Sequence, residues 1–389
     1  MSAYDVVEPA SIGLDEDACA ALVDRARREV DDGLLPSCQL AVAREGKVGL
    51  FATLGDATDD TRYTIFSCTK GLIAGLIYQL LGDGSLKLDQ RVADVIPEFG
   101  SNDKDVITVE MVLLHMGGFP SAPLGLLNGE AADRAARIRR FASWRCNWEP
   151  GTRYEYHPTS GHWVLAELIE RVTGTDYRDV LRERVLDPLG LSRLQLGVPV
   201  EQQSNIADLA IRGTVPTPEE IEAIIGVPLD LEALVGQVTS DALMEFNDPG
   251  VRALGVPGGG GVASAADLAL YYQGLLHDPL GMWPADRLAW ATEVRCDLPD
   301  PIRGNPAHRS LGLQVAGSPP DAQMRGFGYG QSPRSFGHDG AAGQIAWVDP
   351  DSGLSFCYLT NGIDQHVIRE GRRRIGLSSR AAACAPTDS

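Results

Sequence analysis

The stretch that most restricts this chain runs from Phe66 to Gly84. In FSCTKGLIAGLIYQLLGDG apolar residues recur on every side of the helical turn as far as Leu81, and Gly82 and Gly84 stop the pattern. A helix without a polar face has to be covered all round, so other elements must pack against it in layers. The 389 residues suffice for one large or two interlocked domains with a real core. The 44% hydrophobic and 22% charged fractions are those of a globular protein.

The covering elements are legible at both ends of the sequence. Residues 14–32 form a polar amphipathic helix. CQLAVAR (38–44), the turn Glu45-Gly46-Lys47 and VGLFATL (48–54) then spell a β-hairpin. QIAWVD (344–349), the turn Pro350-Asp351-Ser352-Gly353 and LSFCYLT (354–360) spell a second hairpin, followed by a terminal helix over 364–376. Between them lie helical patterns at 107–115, 160–173 and 177–186, and one that opens at Ser264-x-x-Asp267 and runs to about Leu276. The expected fold class is therefore α+β, an antiparallel sheet flanked by N- and C-terminal helices, with an inserted, mostly α-helical lobe. Residues 1–85 and 251–377 make the sheet domain, 86–250 the insert, and 378–389 a loose tail. A site belongs in the cleft between the lobes.

Lys plus Arg is 34 against 53 for Asp plus Glu, a net charge of −19 that repels nucleic acid and anionic membranes. No run approaches 18 apolar residues, so no bilayer span is expected. The first residues carry acids where an export signal needs a basic start, which reads as cytoplasmic. Seven scattered cysteines without a C-x-x-C pair suggest neither a disulfide framework nor a zinc site, and the histidines show no metal-binding spacing. No cofactor is expected, and Gly258–Gly261, lacking a following G-K-[ST], suits close backbone approach better than phosphate binding.

Only four lysines occur, and two of them close an S-x-x-K. Ser101 to Lys104 falls in a charged stretch expected to be a solvated turn. Ser67-Cys68-Thr69-Lys70 opens the buried helix. Residues three apart on a helix share a face, so the Lys70 amine can reach the Ser67 hydroxyl. Apolar neighbours disfavour the charged amine and bring it toward the range of a general base. The helix start also offers N–H groups to an oxyanion. The plainer possibility, a snorkelling lysine behind a serine cap, needs a polar helix face for Lys70 to leave by, and this helix has almost none.

With two further segments the sequence, from about 18 to 370, resembles the serine β-lactamase-like hydrolases, especially the class C and family VIII carboxylesterase branch. Ser67-x-x-Lys70 stands where the family has its acylated serine and lysine. PGTRYEYHPTSGHWVLAELIERVTG (150–174) looks like the segment carrying Y-x-N, with Tyr156 at the tyrosine position. FGHDGAAG (336–343) looks like the third motif, K-T-G or H-x-G. The resemblance implies a β-lactamase and penicillin-binding-protein-like fold with Ser67 as nucleophile. Lys70 and Tyr156 share the proton transfers, and which is the formal base stays open. His338 takes the third-motif basic position, with Gly340 and Ala341 following on a strand that lines the cleft. The Ala341 N–H joins that of Ser67 in an oxyanion hole.

Two departures bear on substrate. Pro158 stands where lactamases and peptidases usually have Asn, and His338 replaces a lysine that attracts a carboxylate. Both favour a small-molecule carboxylic ester over β-lactam or cell-wall substrates. Amide chemistry as a β-lactamase or D-amino-acid peptidase, acyl transfer to an alcohol or amine, and a catalytically silent ligand-binding relative are the alternatives. Oligomeric state is not readable from the sequence.

Overall fold

The computed structural model describes residues 5–127, 129–226 and 236–385. Helix α1 (Glu16–Asp31) starts where Asp15 accepts a hydrogen bond from the Ala18 N–H at 2.8 Å, and it turns Cys19, Leu22, Ala26 and Glu29 inward. Strands β1 (Ser37–Arg44) and β2 (Lys47–Gly55) are joined by Glu45 and Gly46, whose φ angles of 53° and 72° are the left-handed pair a two-residue hairpin turn needs. Four later strands, β3 (Gln314–Val315), β4 (Phe336–Asp339), β5 (Ile345–Val348) and β6 (Leu354–Thr360), complete an antiparallel sheet in the order β2-β1-β6-β5-β4-β3. The two hairpins read from the sequence thus pair through β1 and β6.

The strand period of two divides the sheet between two cores. Leu40, Val42, Ile345, Trp347, Phe356 and Tyr358 face α1 and the terminal helix. Ala41, Ala43, Ala346, Val348, Cys357 and Leu359 face the other way, into the core that contains the apolar helix α2 (Thr69–Gly82). That core continues without a break into the insert, through Trp163, Leu165 and Val180. At about 1.5–3 kcal/mol for each large apolar side chain removed from water, this shared burial is what holds the insert to the sheet.

The insert contributes helices α3 (Arg134–Ser143) and α4 (Ser160–Thr173), the latter stopped by Gly174 at φ 72°. The helix expected over 107–115 is the short Val109–Leu113, and that over 177–186 is α-helical only to Leu181 before a π turn through Leu186. The insert also supplies short strands. Gln195–Leu196 and Tyr63–Thr64 flank Gly261–Ala263, and Ala210–Arg212 runs parallel to Gly362–Asp364. Helix α5 (Ala265–His277) begins as expected, with the Ser264 Oγ accepting from the Asp267 N–H at 3.2 Å.

Two expectations are corrected. The terminal helix α6 extends from Val367 to Ala383, and Ser378, Ala381, Ala382, Cys384 and Ala385 are buried, so the chain is packed through 385. Residues 386–389 of the expected tail lie outside the described residues, as do 227–235 of the insert. The second S-x-x-K lies in the expected turn with Ser101 and Asp103 exposed, but its lysine is not solvated. Lys104 is buried, its Nζ donating to the carbonyls of Ser101 and of Trp144 (2.6 Å) and lying 5.3 Å above the Phe99 ring. The Phe99 ring lies under its amine while two carbonyls replace water at its head, which makes it a structural pin.

Candidate active site

The chain enters the site through Tyr63–Thr64 and turns sharply at Phe66, whose φ of 42° is left-handed. For a bulky residue that conformation costs about 1–2 kcal/mol. An edge-to-face contact of Phe66 with Phe246 at 5.4 Å helps to hold it. Ser67 lies in the 3-10 turn Phe66–Cys68, ahead of α2 rather than inside it, and is half-exposed. Its hydroxyl caps no backbone N–H. It accepts hydrogen bonds from the Lys70 Nζ at 3.1 Å and the Tyr156 Oη at 2.8 Å.

Lys70 is wholly buried. Besides Ser67, its Nζ donates to the carbonyls of Pro158 (2.7 Å) and Gly258 (2.6 Å). Burial, helped by the Arg309 charge, brings its pKa from 10.5 down to about 7, so charged and neutral amine coexist at neutral pH. The two carbonyls can only accept. A neutral amine therefore keeps its two hydrogens on them and aims its lone pair at the Ser67 hydroxyl. Gly258 is a glycine for a local reason, because a Cβ there would stand 3.0 Å from the Pro158 carbonyl oxygen and 3.4 Å from the Lys70 Nζ. The glycine run of 258–261 thus lets backbone approach the helix, and the Gly261 N–H donates to the Thr69 Oγ1 at 2.9 Å.

Tyr156 stands before α4, its ring 5.1 Å from the Lys70 Nζ and 5.2 Å from the Arg309 guanidinium, with His115 packed at 4.8 Å. Burial raises its phenol pKa well above 10, against the pull of Arg309 and the Ser67 hydrogen bond. Of the two partners of Ser67, Lys70 is the readier base and Tyr156 the readier proton donor.

The third segment lines the same turn from β4. The His338 carbonyl accepts a hydrogen bond from the Cys68 Sγ at 3.2 Å. The His338 ring is buried rather than presented to the cleft. Its Nδ1–H donates to the Asp339 carbonyl at 2.6 Å, which leaves Nε2 to accept from the Arg309 Nη1 at 3.1 Å. Burial and Arg309 lower its pKa to about 3, so it is neutral, with both nitrogens occupied. The Gly340 N–H is committed to the Gln344 carbonyl at 2.8 Å, and a Cβ at Gly340 would lie 2.6 Å from the Ile65 carbonyl oxygen. That glycine permits close approach to the Ser67 turn instead of offering a free donor. Ala341, the next residue, is half-exposed at the start of the turn Ala341–Gly343.

Sequence reading brought together Ser67, Lys70, Tyr156 and the segment 336–343, which is strand only from Phe336 to Asp339 and not through Gly340 and Ala341 as expected, and it missed what surrounds them. Arg309, held in a loop by bridges to Cys296 and Gln314, belongs to no motif. The backbone carbonyl, not the side chain, is what Pro158 contributes. Tyr154, whose Oη accepts from the Arg309 Nε at 3.1 Å, could have been noticed only as the alternate residue of Tyr154-Glu155-Tyr156. Among the described residues no group of three His, Cys, Asp or Glu side chains is arranged to hold a metal, and no helix is long and apolar enough to cross a membrane.

A family model described as Beta-lactamase matches residues 22–378. Over 320 residues the chain is 26% identical to Esterase/beta-lactamase LipL of Mycobacterium tuberculosis, an alignment covering 78% of this chain and 70% of that protein. A penicillin-binding protein homolog from Caulobacter crescentus superposes with a TM-score of 0.76 at 26% identity, over 96% of this chain and 99% of the other. A family VIII carboxylesterase gives a TM-score of 0.76 at 24% identity, over 95% and 99% of the two chains.

Proposed function

This chain belongs to the Beta-lactamase family, and on that premise we propose that it hydrolyses carboxylic esters of small molecules through an acyl-enzyme on Ser67. The observation that carries the reading is the convergence of the Lys70 Nζ and the Tyr156 Oη on one hydroxyl, at 3.1 and 2.8 Å, with Lys70 poised near pH 7. Neutral Lys70 takes the Ser67 proton as Oγ bonds to the ester carbonyl carbon, and the carbonyl electron pair moves onto oxygen. The N–H groups of Ser67 and Ala341 receive that oxyanion. Its collapse breaks the bond to the alcohol oxygen, which leaves with a proton from the Lys70 and Tyr156 pair. Water then repeats the sequence on the acyl-enzyme, releasing the acid and restoring Ser67.

Ester rather than amide selectivity rests on two side chains. Pro158 has no amide to meet a substrate acyl-amide group. His338 is neutral and buried, so β4 places no cation in the cleft for a β-lactam or peptide carboxylate. The esterase part of the LipL name agrees with this choice. Intact-mass measurement after a fluorophosphonate should give one adduct, absent from Ser67→Ala. Nitrophenyl butyrate should be turned over and nitrocefin hardly at all. Undiminished ester turnover by Ser67→Ala would defeat the assignment, and nitrocefin turnover matching the ester would move it to amide chemistry.

A further inference from the structure

Arg309 is a buried guanidinium that no carboxylate pairs with among the described residues, an arrangement proteins ordinarily avoid because an uncompensated charge loses its hydration. Its hydrogen bonds go to neutral groups, from Nε to the Tyr154 Oη at 3.1 Å and from Nη1 to the His338 Nε2 at 3.1 Å, and its plane lies 5.2 Å from the Tyr156 ring centre. Its backbone is tied to Cys296 in both directions, the Arg309 N–H donating at 2.9 Å and its carbonyl accepting at 3.1 Å. The charge is therefore fixed in place before any substrate arrives.

Its surroundings explain what such a charge can act on. Lys70 comes from α2, Tyr154 and Tyr156 from the segment before α4, and His338 from β4, while His115 and His162 stand behind Tyr156 as imidazoles kept neutral by burial. Asp339 is the nearest acid on β4, but its carboxylate is engaged by Gln314 at 3.0 Å and Arg374 at 2.9 Å, with Arg303 at 3.9 Å. Arg325, the remaining cation facing Arg309, donates to the carbonyls of Pro306 and Ala316. The Lys70 and Tyr156 pair is thus the one proton-exchanging unit at the reacting hydroxyl. With both members protonated it is a cation beside Arg309, and after losing one proton it is neutral overall. A fixed neighbouring cation favours the second state whichever member gives up the proton.

We propose that Arg309 is a positioning residue for the reaction, a permanently buried, unpaired cation that holds the Lys70 and Tyr156 pair in the state already short of one proton and so ready to accept that of Ser67. The inference rests on the ester-hydrolase reading above, and the wild-type and Ser67→Ala measurements test that reading separately.

The experiment is the pH dependence of kcat/KM for nitrophenyl butyrate in wild type, Arg309→Met and Arg309→Lys. Wild type should gain activity as pH rises through about 7. Arg309→Met should carry that limb upward by about one unit or more, a loss of roughly tenfold at pH 6.5, with activity recovering at alkaline pH. Arg309→Lys, which carries the charge as long as its own buried amine stays protonated, should hold the limb closer to its wild-type position than Arg309→Met does. Should Arg309→Met fail to fold, Arg309→Gln and the pH profile of Ser67 labelling by a fluorophosphonate in Arg309→Lys make the same comparison. A limb that stays in place when the charge is removed overturns the proposal. So does a KM rise confined to esters bearing a carboxylate, which would make Arg309 a substrate anchor, or a change in melting temperature alone.

Discussion

Lys70 is held where its charge is unwelcome, and the consequence extends beyond catalysis. Its folded pKa of about 7 lies below the 10.5 of an open chain, so between those values the unfolded state binds more protons and stability rises with pH. The cost of burying the ammonium is full below pH 7 and fades as pH approaches 10.5. Lys70→Met removes that cost, of order 4 kcal/mol, and forfeits three hydrogen bonds worth about 1 kcal/mol each. The variant should therefore be more stable than wild type by about 1 kcal/mol at pH 6.5. By pH 10 the difference should vanish or reverse, as urea melts at the two pH values will show. Gly258→Ala acts on the same group from the other side. Its Cβ would press on the Pro158 carbonyl and the Lys70 Nζ, so kcat should fall by about tenfold to a hundredfold while the melting temperature moves little. Ser67 and Lys70 were readable because their spacing is fixed by one helical turn, whereas Tyr156 was readable only through the resemblance of its segment to the family's Y-x-N. Arg309 was not, since nothing in Ala307-His308-Arg309-Ser310 marks a loop arginine that packs under a tyrosine more than 150 positions earlier. Lys104 shows the same blindness in reverse, for the Trp144 carbonyl that meets its amine lies 40 positions further along the chain.

Helix α2, which carries Lys70, packs where it does because two tyrosines of α5 can lie against its glycines. A Cβ at Gly75 would come 2.2 Å from the Tyr271 Oη, and one at Gly71 2.7 Å from the Tyr272 Oη. The Tyr271 hydroxyl in turn donates to the Gly71 carbonyl at 2.7 Å. Gly75→Ala gains up to about 1 kcal/mol of helix propensity but forces a rigid ring out of a packed core, at about 1–3 kcal/mol. We expect net destabilisation near 1 kcal/mol and a comparable loss of activity as α2 shifts, measured by urea unfolding and ester turnover on the same sample. The apolar wrapping of this helix and the Glu45-Gly46 hairpin were legible because period and turn chemistry act locally. The strands Gln195–Leu196 and Ala210–Arg212 were not, because two or three residues show no period and owe their conformation to the partner strand. Hence an insert read as helical is also stitched by strands to the 251–377 part of the sheet domain.

The two ends of the chain close the molecule together. Buried Arg373 on α6 donates to Glu29 of α1 at 2.7 Å and to Asp364 at 2.6 Å, which joins the terminal helices to the strand that pairs with Ala210–Arg212. Beyond Leu377, where the sequence read as a loose tail, Ser378 accepts from the Trp347 Nε1 at 3.2 Å and donates to the Gly326 carbonyl at 3.1 Å. The Cys384 carbonyl accepts from the Asp15 N–H at 2.8 Å. The misreading has a physical origin, for Ser378, Ser379 and the alanines carry little hydrophobic signal and are buried only because small residues let α6 lie close to the sheet. A chain ending at Leu377 loses, among other contacts, these three hydrogen bonds at about 1 kcal/mol each and the burial of Ala381, Ala382, Cys384 and Ala385 at roughly 0.5–1 kcal/mol apiece. The sum, roughly 5 kcal/mol, is a large share of the 5–15 kcal/mol by which folded domains typically exceed their unfolded states. Urea unfolding should place the truncated chain's midpoint far below that of the full chain, with Ser67 labelling reduced in proportion to the unfolded fraction. Unchanged unfolding would mean that these terminal contacts contribute nothing to the fold.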